Sequence, residues 1–240
     1  MSNEAVISRS TSITTPPRWV NCDAYLFDID GTLLNARDAV HYNAFHSAVK
    51  HVFGVDSLID GVPVHGNTDI GILRAVVRRA GLSDTAFEER LQYAREHMCS
   101  EVGRNSNALQ PELCPSIADL LDSLKSAGKL MGVVSGNLEA IGWLKLRAAG
   151  IAEYFDFGCF SDQAEFRADI FRNGVAEVHQ RLGPLASVCF VGDTPSDVQA
   201  ARELGLPVIA VATGIYDREA LTPHGPDACV ECCTELLAHL

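Results

Sequence analysis

The chain has 240 residues, 47% apolar and 21% charged, with a net charge of −12. That is enough apolar sequence for one large domain or a domain with an insert, and the acidic balance excludes sequence-independent nucleic-acid binding, which needs a basic footprint. No run approaches the roughly 18 consecutive apolar residues of a membrane span, and the Ser- and Thr-rich start, 1–17, lacks the apolar centre of a signal peptide. It reads as a disordered tail, and a cytoplasmic location is the default expectation.

Ala24-Tyr25-Leu26-Phe27 is an apolar run of buried-strand type that leads directly into Asp28-Ile29-Asp30-Gly31-Thr32. Residues at i and i+2 of a strand point to one face. Asp28 and Asp30 can therefore meet one ligand at the strand's carboxyl end, where open α/β sheets place theirs. Two carboxylates so close repel each other unless a cation neutralises them. Residues 38–107 then carry three amphipathic helical faces and no strong strand: Phe45, Val49 and Val52; Ile72, Leu73, Val76, Val77 and Ala80; Phe87, Leu91, Ala94 and Met98. They read as an all-helical cap inserted into a core formed by 18–37 and 108–240. Arg74, Arg78 and Arg79, on the second of these helices, read as a solvated face.

Beyond residue 107 strand and helix alternate. A helix is expected from 117, with Ser116 as its N-cap and Gly128 as its stop. Apolar runs at 130–134, 155–160, 187–191, 207–212 and 228–232 read as strands, and 138–149, 169–182, 195–204 and 234–239 as helices. Strands apolar on both faces imply a Rossmann-like, doubly wound parallel sheet with helices on either side. The eight cysteines mostly fall in or beside these apolar runs, where a free thiol behaves as a small hydrophobe. Cys229, Cys232 and Cys233 lack the second ligand pair that a structural zinc site takes.

Further chemistry falls at the strand ends. Ser135-Gly136-Asn137 closes one strand and opens a helix, offering a hydroxyl and backbone N–H groups to an anion. Gly192-Asp193-Thr194-Pro195-Ser196-Asp197 closes another, with Asp193 at the strand's end and Asp197 in the next helix's first turn. Arg167 lies between them in the chain.

In this order, these four pieces resemble the motifs of the haloacid dehalogenase superfamily, in its phosphatase branch with a helical cap after the first strand, and in style the phosphoglycolate phosphatases. The resemblance implies that Asp28 is the nucleophile that forms an aspartyl-phosphate, and Asp30 the acid and then base. An acid there needs surroundings that raise its pKa. It implies a Mg²⁺ ion held by Asp28, the Asp30 backbone carbonyl and Asp193, with Asp197 on the metal or its waters. Ser135, the Gly136 amide and a basic residue would hold the phosphoryl oxygens. The substrate implied is a small phosphorylated metabolite, such as phosphoglycolate or a sugar phosphate, with neither nucleic acid nor membrane as partner.

The third motif departs from the common pattern. Many relatives carry Lys followed by Pro, whereas Asp162-Gln163-Ala164-Glu165-Phe166-Arg167 holds no lysine. Arg167 takes the role by position, with Arg172 as the fallback, and a guanidinium fork suits phosphate. In the cap, His65, Asn67 and Thr68 either touch the leaving group or form a helix cap. Asp69 falls where sugar-phosphate mutases tend to carry Arg, which favours hydrolysis over mutase chemistry. A non-catalytic binder of phosphorylated ligands is the remaining alternative. The cap joints are expected near 35–38 and 105–109.

Overall fold

The computed structural model describes residues 17–35, 39–57, 59 and 61–239. The tail expected over 1–17, apart from its last residue, lies outside them, as do residues 36–38 of the first cap joint.

Six short strands form one fully parallel sheet: β1 (Ala24–Phe27), β2 (Leu130–Val134), β3 (Phe157–Cys159), β4 (Val188–Gly192), β5 (Val208–Val211) and β6 (Ala228–Val230). Their spatial order is β3-β2-β1-β4-β5-β6. Chain order reverses direction at β1, so the crevice beyond the carboxyl ends of β1, β2 and β4 is the topological switch point where such sheets bind ligands. Register sets the heights there. Phe27 pairs with Val133 on one side and Val191 on the other, which brings Asp28, Ser135 and Asp193 to the same rim.

Helices α4 (Ile117–Ser126), α5 (Glu139–Ala148), α6 (Arg167–Leu182), α7 (Pro195–Glu203), α8 (Arg218–Leu221) and α9 (Thr234–Leu237) accompany the strands. One sheet face packs Tyr25, Phe27, Val133 and Val191 against Leu121 and Leu124 of α4; the other packs Leu26, Phe190 and Ala210 against Ile170 and Phe171 of α6. The alternation of residues 24–27 between the two clusters explains why this strand is apolar at every position. α6 begins two residues before the expected start, so Arg167 is its first residue rather than part of the preceding loop. Ser116 precedes α4 but does not cap it: its backbone is left-handed and its hydroxyl meets Thr234 Oγ1 at 2.6 Å.

The cap comprises α1 (Ala39–Phe53), α2 (Asp69–Arg79) and α3 (Asp84–Arg104). Its interior (Phe45, Val49, Leu73, Val76, Phe87, Met98) is continuous with Leu138 and Ile141 from the start of α5, so apolar packing seats the cap on the core. Arg74 is not merely solvated, as its sequence position suggested. Its guanidinium grips Glu165 through two bonds of 2.6 and 2.7 Å and lies 4.3 Å from the Phe87 ring centroid. Arg95 of α3 adds a bond to Asp162 at 2.7 Å. The cap is thereby tied to the loop that delivers Arg167. Among the described residues no helix is long and apolar enough to cross a membrane, and the candidate metal cluster contains no cysteine.

Candidate active site

Asp28 follows β1 directly, its amide bonded to Val191 O at 3.0 Å, and its carboxylate is buried. Arg167 Nη2 lies 2.9 Å from Asp28 Oδ2 and 2.5 Å from Asp197 Oδ1, while Arg167 Nε donates to the same Asp197 oxygen at 2.6 Å. Of the two arginines, Arg167 is the one that reaches these carboxylates. Arg172 is exposed and pairs instead with Asp169.

Asp197 serves two purposes. Its Oδ2 accepts from Thr194 N (3.0 Å) and Thr194 Oγ1 (2.7 Å), completing the capping box that starts α7 behind Pro195. That leaves Oδ1 for Arg167. Asp193 follows β4 directly, its Oδ1 accepting from Thr32 Oγ1 at 3.0 Å. The close approach of the first turn is possible only because residue 31 is glycine: its φ is +88°, and a Cβ there would stand 2.2 Å from Asp193 Oδ2.

Oxygen atoms from Asp28, Asp193 and Asp197 all lie within 4.8 Å of one another, buried. Burial pushes Asp28 up to about 6, against the pull of Arg167 and with Asp197 and Asp30 adding to it. Burial, Asp197 and Asp28 push Asp193 well above the usual carboxylate range. Burial also opposes the Arg167 charge, but Asp197 and Asp28 outweigh it and push its pKa up. One guanidinium thus serves three buried carboxylates. The cluster is short of positive charge, and its hard oxygen donors suit a divalent cation.

Asp30 lies on the other side of the turn, half-buried, and its surroundings differ from the expected ones. Burial pushes its pKa up, but the Lys145 charge and a bond from Asn137 outweigh this and leave it below the usual value. Lys145 Nζ is 3.0 Å from each Asp30 oxygen, and Asn137 Nδ2 donates to Oδ2 at 2.7 Å. Neither Lys145 nor its neighbour His41 was singled out by the motifs. Both carry a visible signal, because each falls on the buried stripe of its helix, beside Ile141 and Leu146 in α5 and beside Phe45 and Ala48 in α1. A lysine in that position is rarely buried without a partner.

Ser135 is buried at the end of β2, where its Oγ accepts from Asn137 Nδ2 at 2.9 Å. Ser135, Gly136, Asp28, Asp30 and Arg167 line a cavity of about 590 Å³ beneath the cap, whose wall includes Tyr42, Phe45, Val64 and Ile72. His65 and Asn67 also line it. Thr68 does not. It is the N-cap of α2, accepting from Gly71 N at 3.0 Å while donating to Glu165 O at 2.7 Å. Asp69 bonds across to the core: its amide reaches Gly136 O and its Oδ2 accepts from Leu138 N, both at 2.7 Å.

At Gly136 the cap backbone comes so close that an added Cβ would stand 2.4 Å from Asn67 O. Gly136→Ala is expected to lift this edge of the cap, at a cost of about 1–3 kcal/mol. Phosphate release should fall well below that of the unaltered protein while the far-ultraviolet spectrum stays unchanged, which paired kinetics and circular dichroism will check.

The haloacid dehalogenase-like hydrolase family model matches residues 25–211, from the first strand to the end of β5 and across the cap helices. The chain belongs to that family. A phosphoglycolate phosphatase from Synechococcus elongatus is 32% identical over 215 residues, 89% of this chain and 95% of that protein. Among solved structures, CbbY from Rhodobacter sphaeroides in complex with phosphate is 22% identical, covering 91% of this chain and 99% of that one, with a TM-score of 0.69. A β-phosphoglucomutase from Clostridium difficile shares the haloacid dehalogenase-like fold at a TM-score of 0.64 and 17% identity, covering 90% and 93% of the two chains.

Proposed function

We propose that this chain is a magnesium-dependent phosphatase that hydrolyses a small phosphate monoester through an aspartyl-phosphate on Asp28, in the cytoplasm. The observation that carries the reading is the convergence on one buried point of Asp28, Arg167, Asp193 and Asp197, of which Asp28 and Arg167 line a cavity that Ser135 and Asp30 also line. The phosphoglycolate phosphatase relative makes phosphoglycolate the first ester to try. Phosphate release from phosphoglycolate and from p-nitrophenyl phosphate, with magnesium and then with excess chelator, tests it.

Asp28 and Asp193 side chains and the Asp30 carbonyl would hold the ion, with Asp197 fixed by Arg167 and Thr194 acting on its waters. When bound, the ion offsets the repulsion between an anionic nucleophile and a dianionic ester and withdraws charge from phosphorus. Arg167 and Ser135 meet the phosphoryl oxygens. Asp28 forms the new P–O bond as the ester bond breaks, and Asp30 gives its proton to the leaving oxygen. Asp30 then takes a proton from the water that attacks the aspartyl-phosphate, which regenerates both carboxyls. The dianionic ester beside Asp30 opposes the Lys145 charge and favours the protonated form that the first step needs.

Asp69 bears on mutase chemistry. It is buried and committed to Leu138 N and His41, which leaves no cation at this position to steer a second phosphate, and hydrolysis is the better reading.

The cation's role can be read without turnover. A buried carboxyl whose folded pKa lies above its unfolded value binds more protons when folded, so it destabilises the protein as pH rises. For Asp28 that window runs from 3.8 to about 6. In chelator, the melting temperature of the unaltered protein, minus that of Asp28→Asn, should fall as pH rises through this window. Magnesium should restore it. Melting curves at several pH values, with and without the ion, check both signs.

A further inference from the structure

A buried polar chain crosses from core to cap and back, beside the phosphoryl site. Lys145, on core helix α5, is 3% exposed. Its Nζ contacts Asp30 Oδ1, Asp30 Oδ2 and His41 Nδ1 at 3.0 Å each, and Asn137 Oδ1 at 3.1 Å. An ammonium has three N–H groups and no acceptor, so these four acceptors use its capacity fully. Because Nδ1 of His41 accepts, its Nε2–H is the donor to Asp69 Oδ2 at 3.1 Å. That same oxygen accepts from Leu138 N of the core. His41 and Asp69 belong to the cap; Asp30, Lys145 and Leu138 belong to the core.

We propose that Lys145 is a positioning residue for Asp30, and that His41 makes this positioning depend on the seated cap. The inference rests on the phosphatase reading above. Asp30 sits at the entry to the glycine turn at Gly31, and its side chain is 30% exposed. Lys145 and Asn137 hold both of its oxygens and so fix where its carboxyl meets the leaving group. A lysine buried to this degree needs its partners, and His41 is the partner that the cap brings. Proton delivery by Asp30 is therefore best aligned with the cap in place over a bound ester.

Leaving-group dependence separates positioning from general support of the fold. A good leaving group needs little proton assistance, and a poor one needs much. The measurement is kcat/KM, which reports phosphoryl transfer to Asp28, for p-nitrophenyl, phenyl and p-methoxyphenyl phosphate with magnesium. The series runs for the unaltered protein, Lys145→Met, Lys145→Arg, His41→Gln and Asp30→Asn.

Lys145→Met is expected to lose about threefold on p-nitrophenyl phosphate and about 10²-fold on the two poorer leaving groups, within the range of general-acid effects. Asp30→Asn should show the same trend more strongly, His41→Gln the same trend more weakly, and Lys145→Arg a partial recovery. A loss equal across the three esters, no loss, or a gain on the poorer ones overturns the proposal. Should Lys145→Met fail to fold, judged by its melting curve, His41→Gln decides by the same criterion. If the unaltered protein releases no phosphate from any ester, the phosphatase reading falls and this proposal with it. Release that disappears in Asp28→Asn, together with a uniform loss in Lys145→Met, removes only the positioning role.

Discussion

Asp28→Asn should reduce phosphate release by at least about 10³-fold, as loss of a covalent nucleophile does, without lowering the melting temperature. Asparagine is nearly isosteric and keeps a polar oxygen beside Arg167, whose Nη2 lies 2.9 Å from Asp28 Oδ2. It also removes one of three carboxylates whose oxygens crowd within 4.8 Å, so some like-charge repulsion disappears. In chelator the variant should melt at or above the temperature of the unaltered protein near neutral pH. Loss of activity without loss of stability marks a residue retained for chemistry. A variant that melts far lower would instead make Asp28 structural.

Arg167→Met should behave in the opposite way. The guanidinium is buried and stands between Asp28 and Asp197, so its removal leaves buried carboxylates without their counter-charge. Breaking one side of a buried ion pair costs about 3–5 kcal/mol, enough to lower the melting temperature by several degrees or more. Activity should vanish as well, because the same group faces the cavity and the phosphoryl oxygens. Magnesium should recover part of the stability and none of the activity, since it supplies charge to the acids but not the fork that orients phosphate. Arg167→Lys keeps the charge and loses the planar fork, and should retain more stability than activity. Melting curves with and without the ion, beside phosphate release, separate these effects.

Much of this site is legible in sequence for a geometric reason. Strand ends are easy to find, since Phe27, Val134 and Gly192 close apolar runs, and parallel register then brings whatever follows them together. Asp28, Ser135 and Asp193 follow them. Arg167 was harder, because a single arginine without the usual lysine motif carries little pattern, and its place became plain once α6 began at the arginine itself. His65, Asn67 and Thr68 were indistinguishable as neighbours in one loop. The fold separates them: Thr68 turns to cap α2, while the other two line the cavity.

The surroundings of Asp30 were not legible. Its expected high pKa followed from the chemistry an acid must perform, but the opposing charge comes from a residue 115 positions later. Nothing local to Asp30 announces it. The clue lay in α5, where Lys145 interrupts an apolar stripe that begins with Leu138 and Ile141. Arg74 illustrates the same limit. Charge on a helix face reads as solvated until the facing loop, here with Glu165, is known.

Mixing the protein with p-nitrophenyl phosphate and magnesium, quenching in acid within a turnover and weighing the peptides decides whether Asp28 takes the phosphoryl group. One added phosphoryl on the peptide holding Asp28, absent from Asp28→Asn, is the expected result. A phosphoryl on any other residue, or undiminished phosphate release by Asp28→Asn, would contradict it.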